Sequence, residues 1–366
     1  MIIMTKSRVS APQFFSVLYL SVLSSIFMYI SSRNITIAKT DSLLRPLVFI
    51  VVSIIVAVPT YFVLKIIKEK NATGLKLNRE KLFFKILAAV YAIVYFVAIL
   101  RALARFDLFA SSELFPGTDM TIFIVALVII CGLLSLLGLG SLCRAAVIFT
   151  VIVVGATGFV MISLLKDVDL LNFTPLMEDG IGRFLYDSMY FAFQGAEIGV
   201  VMLFLPQIKG KIAKSYILWS VLSGITFIFI LFFTVGTLGF FADTQLFPTY
   251  TAVTLAEFGL LERMDALETA IWILCIVEKI SLYFLGVINC IKFILPKVSR
   301  KIICVGCIGV VSVLLSFISA NLERFNFMSY TPLVIGLYVV PVLILPIALI
   351  IYLKKVKPYE KNIPDM

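Results

Sequence analysis

Long apolar runs recur along the whole chain, and they limit what it can fold into more than any other feature. A helix needs about 20 apolar residues to cross a bilayer. Hydrophobic residues make up 61% of the 366 residues and charged residues 14%. The mean hydropathy is +1.11. A soluble globule cannot bury that much apolar surface, so lipid must surround most of the chain. The predicted spans are residues 11–31, 43–67, 82–105, 119–139, 143–165, 184–205, 215–240, 268–295, 302–320 and 331–353.

These ten runs predict an all-α polytopic membrane protein with ten transmembrane helices in a single domain, residues 1–366. The first run follows Lys6 and Arg8, as the apolar region of a signal peptide would. It is too long for one, has no small-residue cleavage site and precedes many further spans, so we count it as span one. The outer loops 166–183 and 241–267 are long enough to cover the outer side of a pocket, or they are ordinary connectors.

Lysine and arginine are distributed unevenly between alternate loops. With the N-terminus placed inside, the inner segments carry 21 of the 31 basic residues and the outer segments nine, while Lys279 lies within a span. The positive-inside rule therefore predicts that both termini are cytoplasmic. Contact with anionic headgroups accounts for the net charge of +10. We therefore expect membrane lipid, and no nucleic acid, among the partners.

The side-chain inventory excludes several kinds of chemistry. The chain has no histidine, which rules out Ser-His-Asp and Cys-His catalysis and histidine-ligated metal sites. Cys304 and Cys307 have CxxC spacing, but no second pair accompanies them, so packed thiols are the expected state. No glycine-rich phosphate motif is present. We predict a protein that is not an enzyme, with no catalytic residues, no metal and no cofactor.

Charged residues inside the spans are the informative candidates, because each is costly in lipid unless it is paired or hydrated. Asp187 lies near the outer end of span six and can reach the interface. Glu197 lies deeper and is expected to face a cavity or to pair with a cation. Glu278 and Lys279 are adjacent in span eight, so they point about 100° apart and do not pair with each other.

Span six also contains a polar, glycine-containing cluster. One reading of Gly195 and Gly199 is a GxxxG contact between helices. The reading we favour is a broken helix, whose backbone groups are tolerated in the membrane only where they line a cavity or are buried in protein. The candidate ligand-binding residues of this cluster are Phe193, Gln194, Gly195, Ala196 and Glu197.

Ten spans also suggest a five-plus-five inverted repeat, in which spans one and six are equivalent and both discontinuous. Span one has no glycine or proline between Pro12 and Pro46. The hydroxyls of Ser24 and Ser25 either support a locally unwound backbone or bond back to their own helix. The sequence leaves both alternatives open.

Several short motifs occur along the chain in a characteristic order and spacing. They are Pro12-Gln-Phe-Phe15, Leu171-Asn-Phe-Thr-Pro175, Gln194-Gly-Ala-Glu197 followed by Pro206, Phe247-Pro-Thr-Tyr250, Leu261-Glu-Arg-Met-Asp-Ala-Leu267 and Trp272 through Ser281. Together they resemble the B subunits of spore germinant receptors, membrane proteins of the amino acid–polyamine–organocation transporter superfamily. The resemblance runs nearly end to end. One departure is that family members usually carry glycine, and often proline, in span one.

The resemblance implies a LeuT-like core and a germinant pocket between spans one, three, six and eight. It also implies a complex with a larger A subunit and a lipoprotein C subunit, in the spore inner membrane. Lys279 lies where related transporters often hold a coupling cation, so its ammonium is expected to replace that ion.

An amino acid ligand carries a carboxylate and an ammonium, and a broken helix exposes backbone donors and acceptors that suit them. Half-helix N–H groups near Ser24, Ser25 and Gly195 suit its carboxylate, and Glu197 or free carbonyls suit its ammonium. Tyr91 and Tyr95 lie four apart on one helix face and form a pocket wall or pack as ordinary aromatics.

The leading interpretation is a germinant-sensing subunit that signals to its partners. The alternatives are an active amino acid transporter of the same superfamily, a structural subunit with a vestigial pocket, and an ion channel.

Overall fold

The computed structural model describes residues 9–27, 40–72, 82–116, 118, 120–174, 180–193, 197–256, 264–319, 335–336 and 338–355. Helices dominate these residues, and short 3₁₀ and π turns connect or extend them. The strands β1 (Val9–Ser10) and β2 (Ile208–Lys209) form one short parallel pair. The helices are α1 Ala11–Phe27, α2 Arg45–Ala72, α3 Leu82–Phe109, α4 Thr121–Leu136, α5 Leu139–Ser163, α6 Gly180–Phe193, α7 Ile198–Phe204, α8 Ile212–Leu238, α9 Pro248–Thr254, α10 Asp265–Ile294, α11 Arg300–Ser319 and α12 Leu345–Lys355.

Seven helical segments within these described ranges are long and apolar enough to cross a membrane. One of them, Gly180–Gln207, includes α6, α7 and the three residues between them that lie outside the description. The apolar helices α1 and α4 are shorter. An all-α polytopic integral membrane protein is therefore confirmed.

Helix α10 lies at the centre of the bundle. It packs against α1, α3, α4, α5 and α11, and most of its length is buried. By contrast, α5 and α11 carry large exposed apolar side chains such as Val151 and Phe317, as expected of helices that contact lipid. A polar side chain on α10 therefore points into protein on almost every side, where it needs a partner.

Helix α3 extends further than its predicted span. The sequence placed the end of this span at Arg105, because Arg101 and Arg105 resemble charges at a membrane boundary. The helix instead continues to Phe109, and a π turn extends it to Leu114. Both arginines are almost completely buried. We counted them among the nine outer basic residues at the end of this span, and the structure instead places them inside the bundle, facing other helices.

The turn between α4 and α5 depends on one glycine. Gly138 has a φ of 85°, in the left-handed region that side chains with a Cβ disfavour. Because of this turn, α5 starts at Leu139, four residues before its predicted span.

Loop 241–267 packs onto one end of the bundle. Phe247 is buried, and its ring lies 5.1 Å from that of Phe109 at the end of α3. Trp272 of α10 contacts the same Phe109 ring at 3.9 Å. The described part of this loop therefore covers the ends of α3 and α10, which supports the pocket-covering alternative.

Candidate functional site

Glu197 and Lys279 form a buried ion pair in the middle of the bundle. The Lys279 Nζ lies 2.7 Å from the Glu197 Oε1, and both side chains are almost fully shielded from solvent. The Tyr283 hydroxyl donates to the same Oε1 at 3.2 Å. Because Lys279 and Tyr283 are one helical turn apart on α10, one face of α10 provides both partners of the carboxylate. The expectation that Glu197 pairs with a cation fits this geometry.

Lys279 also reaches α1. Its ammonium donates to the Ser21 carbonyl at 3.2 Å and to the Ser25 hydroxyl. The Ser24 hydroxyl donates to the same Ser21 carbonyl at 2.7 Å. Of the two alternatives that the sequence left open, Ser24 therefore bonds back to its own helix, and Ser25 contacts α10.

Helix α1 runs without interruption from Ala11 to Phe27. Ser24 and Ser25 therefore lie inside a continuous helix, and not at the start of a half-helix with free N–H groups. The part of α1 that faces Lys279 is a carbonyl oxygen and a hydroxyl. These are acceptors, so they suit a cation better than a carboxylate.

Span six contains the described helices α6 and α7. Helix α6 ends at Phe193, which is partly buried and packs on the core. Helix α7 begins at Ile198, immediately after Glu197. Gln194, Gly195 and Ala196 lie outside the described residues, and so does the proposed break itself. Glu197 stands at the N-terminus of α7, where the helix dipole favours a negative charge.

Three tyrosines form a buried stack next to the ion pair. The rings of Tyr91 and Tyr95 are parallel at 6.0 Å, and Tyr95 lies 5.4 Å from Tyr283. The Tyr91 hydroxyl donates to the Pro341 carbonyl at 3.0 Å. Tyr91 and Tyr95 thus pack inside the protein and do not face lipid. Tyr91 links α3 to the C-terminal helical segment, while Tyr95 supports the partner of Glu197.

Gly199 lets α7 approach this stack closely. A Cβ at Gly199 would lie 2.8 Å from the Tyr95 hydroxyl oxygen and 3.1 Å from the Pro341 Cβ. The glycine therefore serves a close packing contact, which was the alternative reading of the GxxxG pattern. It is the Gly199 end of that pattern that packs, whereas Gly195 lies outside the described residues.

A narrow cavity lies between α1, α3, α10 and the C-terminal segment. Its volume of about 20 Å³ holds little more than one water molecule. Arg101 donates to the Tyr338 hydroxyl at 2.8 Å, and its guanidinium lies over the Tyr338 ring. The cationic side chains of Arg101, Arg105 and Lys279 line this cavity, and guanidinium and ammonium groups are the usual partners of a carboxylate. The lining residues are Ser25, Ala98, Arg101, Ala102, Arg105, Lys279, Tyr283 and Tyr338.

Sequence reasoning missed six of these eight lining residues as site candidates, and four of the six are polar or charged. Arg101 and Arg105 were interpreted as charges at the outer end of a span, and Tyr283 and Tyr338 were not singled out. The spacing of four between Arg101 and Arg105 places both on one helix face, which was a usable signal. Tyr338 carried no signal, because its role depends on a contact with a helix distant in sequence.

A family model described as "Spore germination protein" matches residues 8–324, which is most of the chain. The chain belongs to this spore germination protein family. No curated protein matches the chain. The matched region contains Ser25, Glu197 and Lys279, and the resemblance drawn from the short motifs is confirmed at the level of the family. Tyr338 and Pro341 lie beyond the matched residues.

The other charged candidates of this spore germination protein lie away from the cavity. Asp187 is buried, contrary to the reading that it reaches the interface. Its Oδ2 lies 3.3 Å from the Arg45 guanidinium, and Arg183 contacts its Oδ1 at 3.3 Å. Glu278 is buried on another face of α10, and its Oε2 has no hydrogen-bond partner within the described ranges. Asp187 is thus a structural link between α2 and α6.

The structure offers no cluster of metal ligands in the part of the chain that it describes. Groups of three or more histidine, cysteine, aspartate or glutamate side chains are absent there. All six cysteines are buried and unbridged.

Proposed function

We propose that this spore germination protein is the germinant-sensing subunit of a spore germination receptor. In this proposal it binds a small nutrient, an amino acid, and signals to a larger A subunit and a lipoprotein C subunit. It lies in the spore inner membrane with both termini on the core side, consistent with the positive-inside distribution of lysine and arginine. The family match supports the germination role.

The observation that carries the proposal is the contact network of Lys279. This one ammonium bonds α1 through Ser21 and Ser25 and bonds the start of α7 through Glu197. A ligand that altered either contact would change how α1 and α7 are held against α10. A binding event in the cavity thereby becomes a movement of helices, which partner subunits can detect.

The chemistry of the cavity suits an amino acid. Arg101 and Arg105 favour a carboxylate. Glu197 is not a lining residue, but it is paired with Lys279, which lines the cavity; its buried Oε2, which has no hydrogen-bond partner among the described residues, can accept from an ammonium. The present cavity is too narrow for such a ligand. We therefore propose that binding separates α3 from α10 and opens the site.

We also propose ten transmembrane helices with the LeuT-like five-plus-five inverted repeat. The separate helices α6 and α7, and the contact of α10 with α1 beside them, support this arrangement. Over its described residues, Ala11–Phe27, α1 has no break, which departs from this arrangement because the equivalent of span six should be discontinuous as well. The serines of span one take the place of the usual glycine and proline, which accounts for this departure.

Thermal stability in the presence of ligands tests the proposal. The purified protein, with partner subunits present, is heated with a panel of amino acids and nucleosides. A ligand of the native site raises the melting temperature by mass action. We expect one or two amino acids to do so, Glu197→Gln to abolish the effect, and Glu113→Gln, which lies outside the cavity, to retain it. A nucleoside as the only stabiliser, or a shift unaffected by Glu197→Gln, contradicts the proposed site.

Two features favour a second candidate, a structural subunit with a vestigial pocket. These are the narrow cavity and the continuous α1. A folded complex that no ligand stabilises would select this candidate. Net uptake of a stabilising amino acid into proteoliposomes would instead select an active transporter.

A further inference from the structure

A second concave site lies on the outside of the bundle, between α2, α7 and α8. It is an open groove of about 230 Å³, separate from the Lys279 cavity, and the residues of the two sites do not overlap. Its lining is almost entirely apolar. The lining residues are Ile54, Ala57, Val58, Thr60, Tyr61, Leu64, Ile198, Val201, Leu205, Ile212, Ala213, Tyr216 and Ile217.

The groove faces outward along its length. Val58, Tyr61 and Ile217 are each about half exposed, although they lie within segments that cross the membrane. The surroundings of such side chains are hydrocarbon. The volume of the groove suits a segment of an acyl chain.

One end of the groove is strongly basic. Leu64, Leu205 and Ile212 line this end. One exposed lysine directly follows Leu64, two lie between Leu205 and Ile212, and one lies two residues after Ile212. The sequence contains no acidic residue between Glu197 and Asp243, so α7 and α8 carry no charge that would neutralise them. The exposed lysines are Lys65, Lys209, Lys211 and Lys214.

The backbone adds to this positive potential. Helix α8 begins at Ile212, with Lys211 as its first flanking residue and no side-chain cap. The N-terminus of a helix carries a partial positive charge. The headgroup end of the groove therefore combines four ammonium groups with a helix N-terminus, and its opposite part is hydrocarbon.

We propose that this groove binds one anionic phospholipid of the surrounding membrane. One of its two acyl chains lies between α2 and α8, and its phosphate lies among the four lysines. Apolar burial holds the chain, and basic pockets beside transmembrane helices hold anionic headgroups. A zwitterionic lipid lacks the net charge for this site.

The bound lipid also contacts a helix that leads to the central ion pair. Ile198 and Val201 of α7, and Leu205 just after its end, line the groove, and Ile198 directly follows Glu197. The lipid thus packs α7 against α2 and α8 from outside, while Lys279 holds its N-terminus from inside.

Native mass spectrometry of the purified full-length protein tests the proposal. The protein is incubated in detergent with an equimolar mixture of palmitoyl-oleoyl phosphatidylglycerol and phosphatidylcholine. We expect phosphatidylglycerol adducts to exceed phosphatidylcholine adducts about fivefold. Replacing Lys65, Lys211 and Lys214 with glutamine should reduce the ratio to near one. Replacing Lys85, Lys297 and Lys301, which are exposed and belong to segments that do not line the groove, removes the same charge and should leave the ratio unchanged.

A second variant tests the acyl-chain part. Ala57→Phe fills the groove and should reduce binding of both lipids with every lysine in place. Val151→Phe, which adds an aromatic ring to an exposed position of α5, should leave the binding of both lipids unchanged. Equal binding of the two lipids by the wild type would overturn the proposal. So would an unchanged ratio in the groove lysine variant, or unchanged lipid binding by Ala57→Phe.

Discussion

Lys279 on α10 holds Glu197 at the start of α7 at 2.7 Å, with both side chains buried. The same ammonium contacts α1 through Ser21 and Ser25. A charge at membrane depth is tolerated when it is paired, and here the pairing also connects three separate helices. The stability of the bundle and the response to a ligand therefore depend on the same atoms.

The first prediction concerns the energy of this pair. Lys279→Met leaves the Glu197 carboxylate buried without its cation, and breaking a buried pair in this way costs about 3–5 kcal/mol. We expect the double variant Lys279→Met with Glu197→Gln to be more stable than Lys279→Met alone, because it buries no unpaired charge. Unfolding in mixed detergent micelles measures the difference. Lys297→Met, at an exposed position, is the control and should unfold as the wild type does. A double variant no more stable than Lys279→Met alone would refute the prediction.

The second prediction concerns cations. Removing the ammonium in Lys279→Met leaves the Ser21 carbonyl, the Ser25 hydroxyl and the Glu197 carboxylate facing one another. Oxygen ligands of this kind suit a hard cation. We expect sodium chloride to raise the melting temperature of Lys279→Met relative to choline chloride at equal ionic strength, and to have no such effect on the wild type. Identical behaviour of the two proteins would exclude the idea that Lys279 takes the place of a coupling cation.

The sequence predicted the class of fold for a simple physical reason. Runs of 20 apolar residues have one stable solution in lipid, the helix, so an all-α polytopic protein followed from composition and spacing. The residues at which the helices end were harder to predict from the sequence. Arg101 and Arg105 resemble boundary charges, and nothing in the local sequence distinguishes a charge facing headgroups from one facing a buried cavity. Only the packing of α3 against α10 makes that distinction.

The candidate site was predicted in part. Glu197 and Lys279 stood out because charges inside spans need partners, but their mutual contact joins helices distant in sequence. The sequence could not predict that α1 is continuous from Ala11 to Phe27, since serine is compatible with a helix and with a break. Tyr338 belongs to the cavity through its bond to Arg101, which depends on tertiary structure alone.

The third prediction compares the two arginines around Asp187. Arg45 is buried, whereas Arg183 is 42% exposed. Arg45→Gln leaves a buried carboxylate with only its solvent-accessible partner, so it should lower stability strongly. Arg183→Gln should have a small effect, since exposed pairs contribute about 0–1 kcal/mol. Thermal unfolding of the two variants side by side provides the test, and equal losses would show that burial does not determine the strength of this link.

The fourth prediction concerns recognition of a carboxylate. If Arg101 faces the carboxylate of a bound amino acid, an amino acid should stabilise the wild type more than its amide does. Arg101→Gln should remove this difference, because the variant has no charge for the carboxylate. Tyr338→Phe deletes the hydroxyl that accepts from Arg101 and should reduce the difference without removing it. If the amide and the amino acid stabilise the wild type equally, the carboxylate of the ligand does not bind at Arg101.

The fifth prediction concerns the contact between α7 and α3. Gly199→Ala places a Cβ 2.8 Å from the Tyr95 hydroxyl oxygen, and overpacking of this kind costs about 1–3 kcal/mol. Combining it with Tyr95→Phe removes that oxygen and should recover part of the loss. The recovery should be incomplete, because the Pro341 Cβ would still be 3.1 Å away. Gly155→Ala is the control, since a Cβ there meets nothing within 4 Å and alanine favours the helix. Thermal unfolding of the three variants and the wild type measures all of these effects. A Gly199→Ala variant as stable as Gly155→Ala would mean that α7 can shift away from α3 without cost.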